Sequence, residues 1–211
     1  MESTEIQETG WRGSPEIWLN AACQALTEGG IDQVRILPLA TRLGLARTSF
    51  YWHFKDRQSL LDALADRWES RTTQPLVSAC AAYAASEAEA HLNVISVFLD
   101  GQVFDDAMEF AVRGWALQDA GITARIHQAD RLRLAALSEM LIRWGHAPGE
   151  ADVRARAIYL TQIGYISMQV RETLDERMRR VPDYVAIFSG AGRPGPDELA
   201  RFHARHGYLP G

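Results

Sequence analysis

Apolar residues recur along the chain at spacings of three and four, the pattern of helices with one buried face. Strand-like alternation closed by turn pairs is nearly absent, and no internal repeat is visible. The fold class this predicts is all-α. Ser14-Pro15-Glu16 opens a first helix. Serine is a good N-cap, proline suits the first helical position, and the glutamate meets the positive end of the helix dipole. Ile17, Trp18, Ala21, Ala22, Ala25 and Leu26 form its apolar face, and Gly29-Gly30 stops it. Residues 1–13 lack periodicity and read as a mobile tail.

Short helices crowd the next segment. Pro38 can open a second helix whose buried side is Leu39, Ala40 and Leu43, and Gly44 can take the left-handed conformation that ends it. A third helix follows over residues 46–53, anchored by Phe50, Tyr51 and Phe54. Asp56 reads as the N-cap of a fourth, with Leu60, Leu61, Leu64, Ala65 and Trp68 as its stripe, and Pro75 is expected to end or kink it. Helices are then expected at 76–85, 87–100 after a Ser86 cap, and 105–119 after an Asp105 cap. Two long ones follow at 122–144 and 150–174, a short one at 183–189, and a last one at 197–206 capped by Asp197.

Composition narrows the class. The 211 residues carry a net charge of -5, with 47% hydrophobic and 23% charged residues, which suits a globular chain rather than disorder. The acidic balance excludes a bulk cationic nucleic-acid coat but leaves room for one local basic patch. Cys23 and Cys80 are too few for a disulfide framework and read as small buried hydrophobes. No basic-then-apolar leader and no run of about 18 apolar residues is present, so the expected location is cytoplasmic, with no membrane partner.

Residues 37–57, LPLATRLGLARTSFYWHFKDR, carry the chemistry. Short helix, glycine turn, short helix is the helix-turn-helix arrangement, in which the second helix enters the major groove and the first braces it across the backbone. Phe50 and Phe54 anchor the inner side, leaving Arg47, Thr48, Ser49, Trp52 and His53 to face outward. Arg35, Arg42, Arg47, Arg57 and Lys55, the chain's single lysine, make this stretch cationic within an acidic protein.

Leu39-Ala40, Leu43-Gly44-Leu45, Ser49-Phe50-Tyr51-Trp52-His53-Phe54, Lys55-Asp56-Arg57 and Leu60-Leu61 together resemble the tetracycline-repressor (TetR) family of bacterial transcription regulators. The likeness covers residues 14–68; beyond it only helix order and length match. It implies a helix-turn-helix domain at 14–57 and a larger helical ligand-binding and dimerisation domain at 58–211. It also assigns DNA contacts to Tyr51 and His53. Arg57, where the family often has lysine, is expected to hold a phosphate at the fourth helix's N-terminus. Arg47, Thr48 and Ser49 can reach base edges, Arg47 taking a guanine bidentately. Arg42 and Lys55 are further phosphate candidates. Each has a plain alternative: Tyr51 and Trp52 as packing residues, Arg42 as a solvated charge. Two positions depart from the family: Ala46 stands where a Ser or Thr N-cap is common, and Thr48 where glycine is common.

The rest of the chain holds no phosphate-cradling loop and no nucleophile elbow, so no enzyme, cofactor or metal is expected. His203 and His206, spaced i, i+3, are a weak metal pattern, and Asp105-Asp106 reads as a helix cap rather than a carboxylate pair. The resemblance implies an apolar effector pocket, for which Phe98, Phe104, Met108, Ala111 and Trp115 are candidates, with His91, Gln118, His127 and Tyr165 as its polar groups. It also implies a four-helix bundle with a second copy, built from Ile126, Ala129, Leu137, Met140 and Trp144 on one long helix and Val153, Ala157, Leu160 and Gly164 on the next. A homodimer fits the mechanics, since two recognition helices about 34–36 Å apart read a palindromic operator. The reading is a ligand-responsive repressor. Its rivals are a DNA-binding regulator without a small-molecule switch and a helical enzyme or binding protein that borrows the fold.

Overall fold

The computed structural model describes residues 13–190 and 192–210, so the expected tail lies outside the described residues apart from Gly13. Among them are ten α-helices, one short 3-10 turn and no strand. The chain divides into two compact units, Met1–Asp66 and Arg67–Gly211, with the border inside the fourth helix.

In the first unit, α1 (Pro15–Gly29) starts where the cap residues place it, with the Ser14 hydroxyl accepting from the Ile17 N–H. The 3-10 turn (Ile31–Gln33) leads to α2 (Ile36–Leu43), which begins two residues before Pro38. Gly44 ends it at φ 64°, a left-handed conformation that a side chain would strain. Helix α3 (Arg47–Phe50) is shorter than its sequence suggests, and residues 51–53 continue it as turns. Asp56 caps α4 (Arg57–Ala81), its Oδ1 accepting from the Ser59 N–H at 2.8 Å.

The second unit holds the rest of α4, then α5 (Glu87–Leu99), α6 (Asp106–Ala116), α7 (Ala120–Arg143), α8 (Pro148–Ser167), α9 (Leu174–Ser189) and α10 (Pro196–Arg205). Ser86 and Asp105 cap α5 and α6 as their positions predict. Two prolines lie inside helices, and the first of them does not end α4. Pro75 lies inside α4, because Leu76 and Cys80 beyond it are buried in the core with Phe98, Leu137 and Ile158. Pro182 lies inside α9, where Met178, Val181 and Val185 on either side pack with Leu92, Ile95 and Phe202. In both cases burial of the flanking side chains outweighs the lost backbone hydrogen bond.

Helix α8 ends seven residues before its expected stop. Helix α9 starts nine residues before its own expected first residue, at a capping box in which Thr173 Oγ1 accepts from Glu176 N–H and a Glu176 carboxylate oxygen from Thr173 N–H. Helix α10 begins at Pro196 rather than after an Asp197 cap; the Gly195 N–H donates to the Glu198 carboxylate at 2.6 Å. Cys80 is buried, and burial pushes its thiol up to about 12, while Cys23 is only half-buried and so departs from its expected role.

Candidate nucleic-acid interface

Helix α3 is too short to hold itself together and depends on one aromatic anchor. The Phe50 ring is fully buried and packs edge-on against Trp18 of α1 at 5.3 Å, with Phe54 stacked on it at 5.5 Å. Leu39 and Ala40 of α2 are buried in the same unit. Ala46 stands at the N-cap and supplies no side-chain hydrogen bond, so this packing does the work that a Ser or Thr would share.

With Phe50 turned inward, Arg47, Thr48, Tyr51, Trp52 and Lys55 lie exposed and His53 half-buried. Trp52 is 65% exposed, too open for the packing role its sequence left open. The Arg47 guanidinium donates to the Tyr51 hydroxyl at 3.2 Å and lies 6.0 Å from that ring, so the two side chains hold each other one turn apart on the exposed face. Arg42 is exposed and ion-paired with Glu28 at 2.5 Å, a surface pair that a phosphate can replace at little cost.

Two expected contacts are corrected. Ser49 does not face outward: it is only 8% exposed. Arg57 does not present its guanidinium to solvent. Its Nε donates to the Val34 carbonyl at 2.6 Å and its Nη2 to the Ile31 carbonyl at 3.1 Å, which closes the 3-10 turn onto the start of α4. Val34 ends that turn, and Arg57 supplies its carbonyl with a charged donor. Arg57→Met is therefore expected to destabilise the head by about 1–3 kcal/mol while leaving the salt dependence of DNA binding unchanged. Lys55→Ala should do the reverse, reducing the salt slope by about 0.9 for each protomer on the DNA. Denaturation and binding titrations at several salt concentrations separate the two.

The expected walls of the effector pocket lie in the interior, while two of its expected polar groups do not. Phe98, Phe104, Met108 and Trp115 are buried, and the Phe98 and Phe104 rings touch at 4.8 Å between centroids. Ala111 is half-buried, and Gln118 and His127 are exposed, so neither can supply a pocket's polar group. His91 is buried with Nδ1 on the Glu87 carbonyl at 2.9 Å, and burial lowers its pKa. Tyr165, of the polar candidates, lines a cavity, with Ile95, Leu99 and Gln162.

At the centre of this unit lies an ionic network that periodicity does not reveal. Arg133 is fully buried. Its Nη1 and Nη2 donate to the two Glu109 oxygens at 2.9 and 3.1 Å, and its remaining bonds go to Thr72, Thr73 and the Tyr159 hydroxyl. Trp68 Nε1 donates to Glu109 at 2.7 Å, and Arg113 joins Glu109 to Asp130. Burial alone would raise the Glu109 carboxyl, but Arg133, Arg113 and the Trp68 hydrogen bond together hold it below the usual range. The network ties α4 to α6, α7 and α8. The signal for it was an arginine standing in the apolar register Ala129, Arg133, Leu137, Met140.

The expected dimer surface divides in two. Ile126, Ala129, Leu137 and Met140 are buried within their own protomer and Trp144 packs partly against the same core, so this side of α7 is unavailable to a second copy. On α8, Val153 at 65% and Leu160 at 61% are exposed, with Ala157 exposed and Gly164 half-buried along the same stripe. No helix among the described residues is long and apolar enough to cross a membrane.

The molecule is thus a helix-turn-helix head carried by a chain whose other helices form a second, larger unit. Residues 19–64 match the family model described as bacterial regulatory proteins, tetR family. The chain is 42% identical over 52 residues to the class A tetracycline repressor from transposon 1721 of Escherichia coli, a match covering 25% of this chain and 24% of that protein. It is 28% identical over 172 residues to the class G repressor of Vibrio anguillarum, covering 77% of this chain and 72% of that one. The first of these alignments spans about a quarter of the relative's length. Among solved structures, Mycobacterium smegmatis AmtR aligns at a TM-score of 0.58 with 17% identity, covering 97% of this chain and 99% of that chain. A transcriptional regulator from Rhodococcus sp. Rha1 aligns at 0.57 with 18% identity, covering 92% and 97%. The family match is thus confined to the N-terminal helix-turn-helix segment, residues 19–64.

Proposed function

We propose that this protein is a transcription regulator that binds a palindromic operator as a homodimer and changes its grip when a small molecule binds the helical body. The observation that carries the DNA-binding reading is the exposed set Arg47, Thr48, Tyr51, Trp52 and Lys55 on a helix pinned from below by Phe50, within the segment that matches the family. Arg47 and Thr48 read base edges; Tyr51, Lys55 and Arg42 hold phosphates. The α8 stripe of Val153, Ala157, Leu160 and Gly164 is the self-association surface, and the small residues permit close helix approach. An effector acts by binding one conformer of the body more tightly than another, and α4 carries the shift to the heads.

The packing of the Phe98 and Phe104 rings on each other at 4.8 Å favours a second reading, in which the regulator has no small-molecule switch in that region.

Selection of bound sequences from a random DNA pool should return a two-fold symmetric site. Arg35, Arg42, Arg47 and Lys55 remain exposed in each protomer. If all four touch phosphates in both protomers, log affinity should fall with log salt at a slope of about -7. Sedimentation at micromolar concentration should give a dimer. A pool with no enriched motif, or an affinity indifferent to salt, refutes the reading.

A further inference from the structure

A cleft among α5, α8 and α9 is used by neither the DNA-binding nor the self-association reading. Its apolar walls are Ile95, Leu99 and Val181, and its polar groups are Gln162, Tyr165, Arg177 and Tyr184. The cavity measures about 20 Å³. One water needs about 10–15 Å³, so the cleft as it stands holds little more than one water, and any larger occupant must open it.

Three features point to a ligand. Gln162 is only 7% exposed and lines the cleft, yet its side-chain amide makes no hydrogen bond to any described residue. Arg177 lies over the Tyr165 ring at 5.3 Å and spends one N–H on the Phe98 carbonyl at 3.2 Å. It forms no ion pair with any described carboxylate, and Asp106 acts on it only at longer range. The Tyr165 and Tyr184 hydroxyls meet at 2.9 Å, and that hydrogen bond, with burial, pushes Tyr184 up to about 12, so its proton stays available for donation.

We propose that this cleft is a small-molecule site and that it takes a short monocarboxylate, its carboxylate held by Arg177 and the Gln162 amide and its apolar tail lying along Ile95, Leu99 and Val181. A guanidinium and an amide N–H form a matched donor set for one carboxylate, and the walls offer nothing polar to a tail. Entry of a tail requires α9 to move away from α5. The cleft thereby offers the body the two conformers that the regulatory reading needs, and its regulatory consequence rests on that reading.

The test is a calorimetric titration of the full-length protein with butyrate and, as the neutral isostere, butyramide. Butyrate should bind saturably, one per chain, and butyramide at least about tenfold more weakly, because only the ion makes a charge-assisted bond. Arg177→Met should weaken butyrate by about tenfold or more and Gln162→Leu by several-fold, with Arg177→Lys recovering part of the loss. Circular dichroism melts of each variant confirm the fold. If Arg177→Met unfolds, Gln162→Leu and the butyramide comparison decide by themselves. Absence of butyrate binding at millimolar concentration, or equal binding of the two probes, overturns the site. Operator affinity measured with and without butyrate separates the two ideas. Butyrate bound at this cleft with unchanged operator affinity leaves the site standing and removes its regulatory role. Butyrate that loosens the operator with the same midpoint in wild type and in Gln162→Leu keeps the regulatory reading and removes the site.

Discussion

Glu109→Leu is expected to destabilise the folded protein by about 3–5 kcal/mol, the usual cost of leaving a buried charge without its partner. The stranded charge is Arg133, fully buried and joined to both Glu109 oxygens. Trp68 also loses the acceptor for its indole N–H. For a chain of this length the loss corresponds to roughly 6–20 °C in melting temperature. The double substitution Glu109→Leu with Arg133→Met should recover most of it, since well-packed apolar residues often replace a buried ion pair without loss. A double variant no more stable than Glu109→Leu alone would mean that the arginine's other bonds, to Thr72, Thr73 and Tyr159, matter more than its charge pairing.

The same substitution changes the response to acid. Glu109 is held below its ordinary pKa in the folded state, so it binds fewer protons there than when unfolded. Its contribution is therefore complete above the ordinary carboxylate range and is lost as pH falls through the lowered value. Denaturation midpoints between pH 7 and pH 4 should fall for the wild type and fall less for Glu109→Leu. The arginines stay charged throughout and add no matching loss on the alkaline side.

Phe50→Ala should abolish operator binding while sparing the body. Removing a buried phenylalanine costs about 3–5 kcal/mol, a large fraction of what a small helical unit can have. Phe50 packs against Trp18, Tyr51 and Phe54, so its loss frees α3 from α1 and scatters the exposed contacts. Circular dichroism should keep most of the helical signal, because α5 to α10 do not depend on this ring. Arg47→Ala gives the contrast: the head stays folded, and affinity drops by roughly 1–3 kcal/mol at one base position. A Phe50→Ala protein that still bound its operator within tenfold of wild type would show that the recognition helix is held by something other than this ring.

The sequence by itself determined what is local. Caps at Ser14, Asp56, Ser86 and Asp105 act within one helical turn, and each appears where its residue type requires. The helix-turn-helix was legible for the same reason: Gly44, Phe50 and the residues between them are near neighbours whose spacing alone sets which side turns inward. Ser49 shows the limit of that reading, since in a helix of four residues one position can fall on either side.

Tertiary structure decided everything that depends on what covers a face. A period of 3.6 says that a stripe is apolar and not whether its own chain or a second copy buries it. The α7 stripe turned inward and the α8 stripe outward, though both read alike. Pro75 and Pro182 became helix interior because distant side chains packed around them. Glu109 and Arg133, 24 residues apart, could enter the core only together, as each neutralises the burial cost of the other. Such pairings bridge whole helices, and no local pattern along the chain encodes them.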